Sequence, residues 1–278
     1  MNHYFADLIQ NVRQGLAEDL GEADLTAELI PIETQAQASV IVREDAIVCG
    51  QPWFNEVFRQ LDPSVRINWT CQDGDPVKAN QPLCEIEGAA RSILTAERTA
   101  LNFLQTLSAT ATSTAQYVAA LASSKTQLLD TRKTLPGLRL AQKYAVKCGG
   151  GHNHRFGLYD AILIKENHII ACGGLSKAVQ RAKQQNPNVN VEVETENLNE
   201  LKQALNAKAD IIMLDNFNID MIKQAVQINQ GQAKLEVSGN VELDQLAILG
   251  TTGVDFISTG AITKHIKAID LSMRFKFI

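Results

Sequence analysis

The sequence predicts two modules in one chain: an α+β module built on an antiparallel sheet, then a parallel α/β barrel, whole or incomplete. Three observations carry this. Up to about residue 88, strand-like and helix-like stretches are mixed and punctuated by turns. From Ala89 to about Ala122 the pattern is helical throughout. Beyond it, short apolar runs recur, each ending in a polar or charged group and separated by helix-like segments. The modules are drawn at residues 1–108 and 109–269, with the tail 270–278 returning to the first.

In the first module, an amphipathic start gives way to QAQASVIVRED and AIVCG, which read as strands. A short amphipathic helix, PWFNEVFRQL, follows with Pro52 in its first turn, where a missing N–H costs nothing. SVRINWTCQDGDPVKANQPLCEIEG is strand material around the Asp73-Gly74 turn. In the helical stretch, Ile93, Leu94, Leu101, Leu104 and Leu107 recur at helical spacing. The Ser/Thr/Ala-rich LSATATSTAQ predicts a break between two helices there.

The second module carries TQLLDTRK, DAILIKEN, VNVEVETE, ADIIMLDN, AKLEVSGN and VDFISTGA as strands. LSKAVQRAKQQ, NLNELKQALNA and NIDMIKQAVQI read as helices between them. With Arg132, Lys165, Glu194, Asp215, Ser238 and Ser258 as markers, the steps are 33, 29, 21, 23 and 20 residues. A strand, its crossover helix and two turns need about that much chain. Active sites of such barrels lie at the carboxyl ends of the strands, which is where these marker residues fall. The closing LSMRFKFI alternates apolar with polar, as a strand does.

Composition bounds the function. Of 278 residues 45% are hydrophobic and 21% charged, which excludes a disordered tail, a collagen-like repeat and a disulfide mini-scaffold. With 26 Lys and Arg against 31 Asp and Glu the net charge is −5, which argues against a general nucleic-acid binder. The N-terminus lacks the basic start and apolar stretch of a signal peptide, and no window approaches the roughly 18 apolar residues of a membrane span. A soluble, cytoplasmic protein is expected. Cys49, Cys71, Cys84, Cys148 and Cys172 form no C-x-x-C pair, so they read as reduced thiols without chemistry.

The charge is uneven. Thr131 to His168 holds seven basic and two acidic residues, a local +5 that leaves −10 for the rest. A concentrated positive region in an acidic protein suggests an anionic small molecule. Arg139, Lys143 and Lys147 share one helix face, and a solvated face explains them as well as a binding role does. Arg132-Lys133 at a strand end and Arg155 after a glycine run are better candidates, because a guanidinium grips a carboxylate or phosphate with two parallel hydrogen bonds. Gly149–Gly151 would let backbone approach a ligand, or form a flexible loop. His152 and His154 lack a third metal ligand, and His154 suits a proton donor beside an anionic substrate.

Glu194 and Asp215 would point into the same barrel mouth. Three readings fit them: oxygen ligands of Mg²⁺, stabilisers of a cationic sugar-like transition state, or ion pairs with Lys165 or Arg132. Ser238-Gly239-Asn240 and Ser258-Thr259-Gly260 are small turns on successive late strands, where barrels commonly hold a phosphate. They also suit helix N-caps.

ERTALNFLQTLSATAT, DTRKTLPGLRLAQKYAVKCGGGHNHRFGLYDAILIKENHI, VEVETEN, DIIMLDNF, LEVSGNV and GVDFISTGAITKH together resemble the quinolinate phosphoribosyltransferases, over nearly the whole chain. The resemblance implies an N-terminal open-faced α/β sandwich joined to an incomplete parallel α/β barrel, working as a homodimer or larger homo-oligomer. It implies transfer of phosphoribosyl from 5-phosphoribosyl 1-diphosphate to quinolinate with Mg²⁺, giving nicotinate mononucleotide, diphosphate and CO₂ in NAD biosynthesis. By motif, Arg98 resembles an arginine lent to the neighbouring subunit's quinolinate pocket. Thr131, Arg132 and Lys133 match the DTRK run, and His154 and Arg155 match the NHR triplet. With Lys165 these would hold the substrate carboxylates and the diphosphate. Glu194 and Asp215 match acidic residues near ribose and metal, with Lys165 completing the catalytic set. Ser238, Gly239, Asn240, Ser258, Thr259 and Gly260 resemble the 5-phosphate cradle, although some relatives carry a second glycine where Asn240 stands.

Three rivals are weighed. A nicotinate phosphoribosyltransferase, releasing no CO₂, needs fewer cations around the ring than Arg98, Arg132 and Arg155 supply. A Schiff-base lyase would use Lys165 at its strand end. A non-catalytic binder of anionic metabolites would have no use for two strand-end carboxylates.

Overall fold

In the computed structural model, which describes residues 3–121 and 124–277, the chain divides into two units. One comprises Met1–Ala115, Leu135–Gly150 and His265–Ile278, the other Gln116–Thr134 and Gly151–Lys264.

Alternation builds the first unit. In β1 (Gln35–Val42), Ala36, Ala38, Val40 and Val42 are buried while Gln35 and Gln37 are exposed, the period-2 pattern of a sheet with one covered face. The first unit also holds α1 (Leu8–Leu20), β2 (Ala46–Ile47), α2 (Gln51–Leu61), β3 (Arg66–Trp69), β4 (Pro76–Val77) and β5 (Pro82–Ala89). The chain's last strand, Leu271–Phe277, runs antiparallel to β1, and β5 flanks β1 on its other side with β3 beyond it. Trp53, Phe54 and Phe58 of α2 are almost wholly buried in one core with the inward β1 side chains, each contributing about 1.5–3 kcal/mol of burial. The other face stays open, which makes the unit an open-faced sandwich.

The helix that follows, α3 (Ala90–Ala120), is a single element of 31 residues. The break predicted at LSATATSTAQ is absent, and the reason is visible in its hydroxyls. Ser108 Oγ accepts from the Cys49 N–H and Thr112 Oγ1 from the Ile47 N–H, both at 2.9 Å. The small residues thus satisfy a neighbouring segment of backbone rather than ending the helix. Gly50 belongs to the same contact: it adopts φ +119° and a Cβ there would lie 3.3 Å from Leu104 Cα. Asp73 of the predicted turn takes on a further role, accepting from the N–H groups of Gly50 and Gln51 at the start of α2.

The second unit begins with the end of α3. Its strands are β6 (Gln127–Leu129), β7 (Ile162–Ile164), β8 (Val191–Thr195), β9 (Ile211–Asp215), β10 (Lys234–Ser238) and β11 (Phe256–Ser258). They pair in parallel in the order β6-β11-β10-β9-β8-β7. A closed barrel would also pair β6 with β7; here each ends the sheet, so the barrel is incomplete. After β6 the chain forms α4 (Arg139–Cys148); the helices of the second unit beyond it are α5 (Glu166–Cys172), α6 (Leu175–Gln185), α7 (Leu198–Asn206), α8 (Ile219–Asn229) and two short ones, Leu246–Leu249 and Ala261–Lys264. Asn197 caps α7 by accepting from the N–H groups of Asn199 and Glu200, and Asn218 caps α8 likewise.

α4 falls between two barrel strands in sequence yet packs with the first unit. Its anchors are specific: Gln142 Nε2 donates to Thr110 Oγ1 at 3.2 Å, and the Tyr144 ring lies 5.1 Å from that of Phe5. Lys143 is completely buried, which rules out a solvated face through Arg139, Lys143 and Lys147. The glycine run is equally structural. A Cβ on Gly149 would sit 2.4 Å from the Ala111 carbonyl oxygen, and Gly150 adopts φ +84°, so these positions serve packing and a turn rather than a ligand.

Candidate active site

Parallel register brings the strand ends to one level. Lys165 follows β7, Glu194 is the fourth residue of β8, and Asp215, Ser238 and Ser258 end β9, β10 and β11. They surround a cavity of about 450 Å³ that also takes Thr131, Arg132 and Lys133 beyond β6, the His154-Arg155 pair, and the Gly239-Asn240 turn. Residues as far apart as Thr131 and Ser258 therefore share one wall. Thr259 and Gly260 do not line this cavity. The Thr259 hydroxyl donates to the Val241 carbonyl and accepts from the Ala261 N–H, closing the turn, and Gly260 leaves room for the Lys133 side chain. Arg98, on α3, is also outside the lining residues.

The electrostatics favour an anion. Arg155 is pushed below its ordinary value, first by burial and then by repulsion from Arg132. Two guanidinium groups held in mutual repulsion gain most from an anion placed between them. The acidic side is also crowded: burial, then the Glu194 charge, push Asp215 up, against the pull of Lys165 and Lys133. Lys165 Nζ is ion-paired with Glu194. With 48% of its side chain exposed, Lys165 lacks the dry pocket that a Schiff-base amine needs. Asn216 and Asn240 adopt positive φ, and Asn216 Nδ2 donates to Asp215 Oδ2 at 2.8 Å. Gly239 is obligatory, with φ +103° and a would-be Cβ 2.3 Å from Asn216 Oδ1.

Sequence reasoning passed over Asn216 and four further groups here. Leu163 and Met213 give the cavity an apolar floor, and Glu236 reaches it from β10. Glu192 lies beside His154, 2.8 Å from its Nε2. For these four the available signal was alternation: each stands two residues before a strand-end marker and so shares its inward face.

A larger groove of about 600 Å³ lies at the opposite strand ends, lined by Lys183, Lys208 and Lys234. Lys183 and Lys234 are already paired with Asp210 and Asp255 at 2.7 and 2.6 Å, so little of its charge is available to a ligand.

An incomplete α/β barrel that gathers arginines, lysines, three carboxyl groups and small hydroxyl turns at its carboxyl-terminal face defines a barrel enzyme acting on phosphorylated, anionic substrates. The comparisons with known proteins narrow this. Residues 110–274 match the C-terminal domain of quinolinate phosphoribosyl transferase and residues 24–108 its N-terminal domain. The chain belongs to the quinolinate phosphoribosyltransferase family. It is 39% identical to a probable carboxylating nicotinate-nucleotide pyrophosphorylase of Bacillus subtilis, covering 98% of this chain and 91% of that one. A Synechocystis protein of the same description is 42% identical over 95% and 90% of the two chains. Among solved structures, the nicotinate-nucleotide pyrophosphorylase from Francisella tularensis superposes with a TM-score of 0.95 at 55% identity, covering 97% and 96% of the chains. Human nicotinic acid phosphoribosyltransferase, at 14% identity, TM-score 0.62 and coverage of 97% and 73%, shares the fold alone.

Proposed function

We infer that the chain transfers phosphoribosyl from 5-phosphoribosyl 1-diphosphate to the ring nitrogen of quinolinate, with loss of the adjacent carboxyl as CO₂. One observation carries the reading: Arg132, Lys133, Arg155 and Lys165 converge on a cavity floored by Leu163 and Met213, which suits a flat aromatic ring bearing two carboxylates. The carboxylating names of the B. subtilis and Synechocystis relatives support it over transfer to nicotinate.

The roles follow from charge. Arg132 and Arg155 take the pyridine carboxylates, and Lys133 and Lys165 face the diphosphate. The Ser238-Gly239-Asn240 turn and Ser258 hold the 5-phosphate. Glu194 and Asp215 offset positive charge on the ribose carbon as its bond to diphosphate breaks. That bond's electron pair leaves with diphosphate while the ring nitrogen's pair forms the new C–N bond. The ring nitrogen is then cationic. It draws the electrons of the adjacent C–C bond as CO₂ departs, and a proton takes the vacated ring position.

Glu194 and Asp215 also fit Mg²⁺. They offer hard oxygen donors beside substrate phosphates, and their mutual repulsion, which raises Asp215, is relieved by a cation. Bound there, Mg²⁺ would neutralise the leaving diphosphate.

We also propose that the enzyme works in the cytoplasm as a homodimer or larger assembly in which Arg98 completes the neighbouring quinolinate pocket. Leu25, Leu29 and Ile32, each more than three-quarters exposed, support self-association. Among the described residues no helix is long and apolar enough to cross a membrane.

The test is direct. Purified protein with Mg²⁺, the activated ribose and either pyridine acid should yield nicotinate mononucleotide and CO₂ from quinolinate. Efficient turnover of nicotinate in place of quinolinate would replace this reading with the non-decarboxylating one.

A further inference from the structure

His154 lines the cavity, yet the hydrogen bonds around its ring leave it little to offer a ligand. Its Nδ1 accepts from the backbone N–H of Arg155 at 2.7 Å. A nitrogen that accepts an N–H carries no proton, so the ring proton sits on Nε2. Nε2 in turn lies 2.8 Å from Glu192 Oε2 and 3.7 Å from Glu236 Oε2. Both ring nitrogens are therefore committed to the protein.

The anchors are deep. Glu192 and Glu236 are 2% and 0% exposed. Each stands two residues before a cavity residue, Glu194 on β8 and Ser238 on β10, one layer further into the barrel. Glu236 Oε1 accepts from Ser258 Oγ at 2.5 Å. On the other side, buried Asp130 accepts from the backbone N–H of His154 at 2.9 Å and from Asn153 Nδ2 at 2.7 Å. Hydrogen bonds thus run from the Asn153–Arg155 loop through the imidazole to Glu192, while Glu236, bonded to Ser258, stands 3.7 Å from Nε2 in the same cluster.

We propose that His154, Glu192 and Glu236 are positioning residues: the ring fixes the backbone of Arg155 and so aims its guanidinium, while Glu236 fixes Ser258. This rests on the quinolinate reading above and assigns His154 no proton transfer to substrate. Burial and the Glu192 charge push Glu236 up to about 8, against the pull of His154. The three groups also have the identities of a metal triad, their ligand atoms lying within 4.8 Å of one another. The 2.8 Å Nε2–Oε2 hydrogen bond fills that space instead.

The experiment has two arms, both on the full-length enzyme. In the first, long-range ¹H–¹⁵N spectra of histidine-labelled protein are recorded with and without quinolinate, the His154 signals being assigned by their loss in His154→Gln. The neutral Nε2–H tautomer in both states is expected. A doubly protonated ring, or an Nδ1–H tautomer, once quinolinate is bound would overturn the proposal. In the second, Glu192→Gln should raise the KM for quinolinate about tenfold with kcat and the ribose-donor KM little changed. Glu236→Leu should raise both KM values, because it also removes the acceptor that holds Ser258. Wild-type constants in both variants, or an equal fall in kcat for both with unchanged KM, would sink the positioning role. The wild-type CO₂ assay separates the two levels: without quinolinate turnover the functional reading fails, while the tautomer result stands on its own.

Discussion

Arg155 and Arg132 show how a single residue's environment reports its use. Placing two guanidinium groups together raises the free energy of the empty pocket, and that cost is recovered when a carboxylate enters between them. Arg155→Ala or Arg132→Ala should lower kcat/KM for quinolinate by about 100- to 1,000-fold, the loss of one to two charged hydrogen bonds of about 1.5–3 kcal/mol each. Melting curves should stay close to wild type. Wild-type turnover in either variant would count against the site. Glu236 gives a stability prediction whose sign can be worked out. Its carboxyl titrates near 4.5 when unfolded and is pushed up to about 8 when folded. Between those values the native state holds a proton that the unfolded chain has released, so this group's contribution falls as pH rises. Glu236→Gln, which cannot ionise, should therefore gain on the wild type from about pH 5 to about pH 8 in urea melts. A constant difference across that window would show that Glu236 is not held protonated.

At the scale of elements, α3 and the glycine after α4 set what each segment can tolerate. The Ser/Thr positions of α3 look like helix breakers in sequence, because their hydroxyls compete for backbone groups. Here Ser108 and Thr112 spend them on the backbone of Cys49 and Ile47 instead. Gly149 ends α4 directly against Ala111 and Thr114. A Cβ at 2.4 Å from a helical carbonyl and 2.6 Å from Thr114 Cβ cannot be absorbed by rotamer change. Gly149→Ala should cost about 3 kcal/mol and lower the melting temperature by about 5–10 °C. A Gly150 substitution tests the neighbouring positive φ separately. An unchanged melting temperature for Gly149→Ala would mean that the two helices can part at little cost.

Across the whole molecule, charge is segregated: one stretch of an acidic chain is strongly cationic, and the barrel turns part of that stretch into one wall of a cavity. Arg98 lies outside that wall, and its proposed role requires a second copy. Mixing Arg98→Ala subunits with Arg132→Ala subunits, each inactive alone, should restore about a quarter to a half of wild-type activity if one mixed site escapes both lesions. No recovery after subunit exchange is verified by native mass spectrometry would remove Arg98 from the partner pocket.

The sequence by itself determined which residues stand at the carboxyl ends of the barrel strands. A parallel strand that ends in Arg, Lys, Glu, Asp or Ser announces which residue will face the mouth, because strand polarity and connection length are local properties. The crossover spacing likewise announced a barrel. Tertiary structure decided what depends on neighbours distant in the chain. It placed α4 with the first unit through contacts to Phe5 and Thr110, and it kept α3 whole. It sank Glu192 and Glu236 one layer below the markers that sequence had picked. It also committed both nitrogens of His154, through hydrogen bonds spanning from one residue to 38. Residue type fixes what a group can donate or accept; only the folded backbone fixes which partner stands within 3 Å of it.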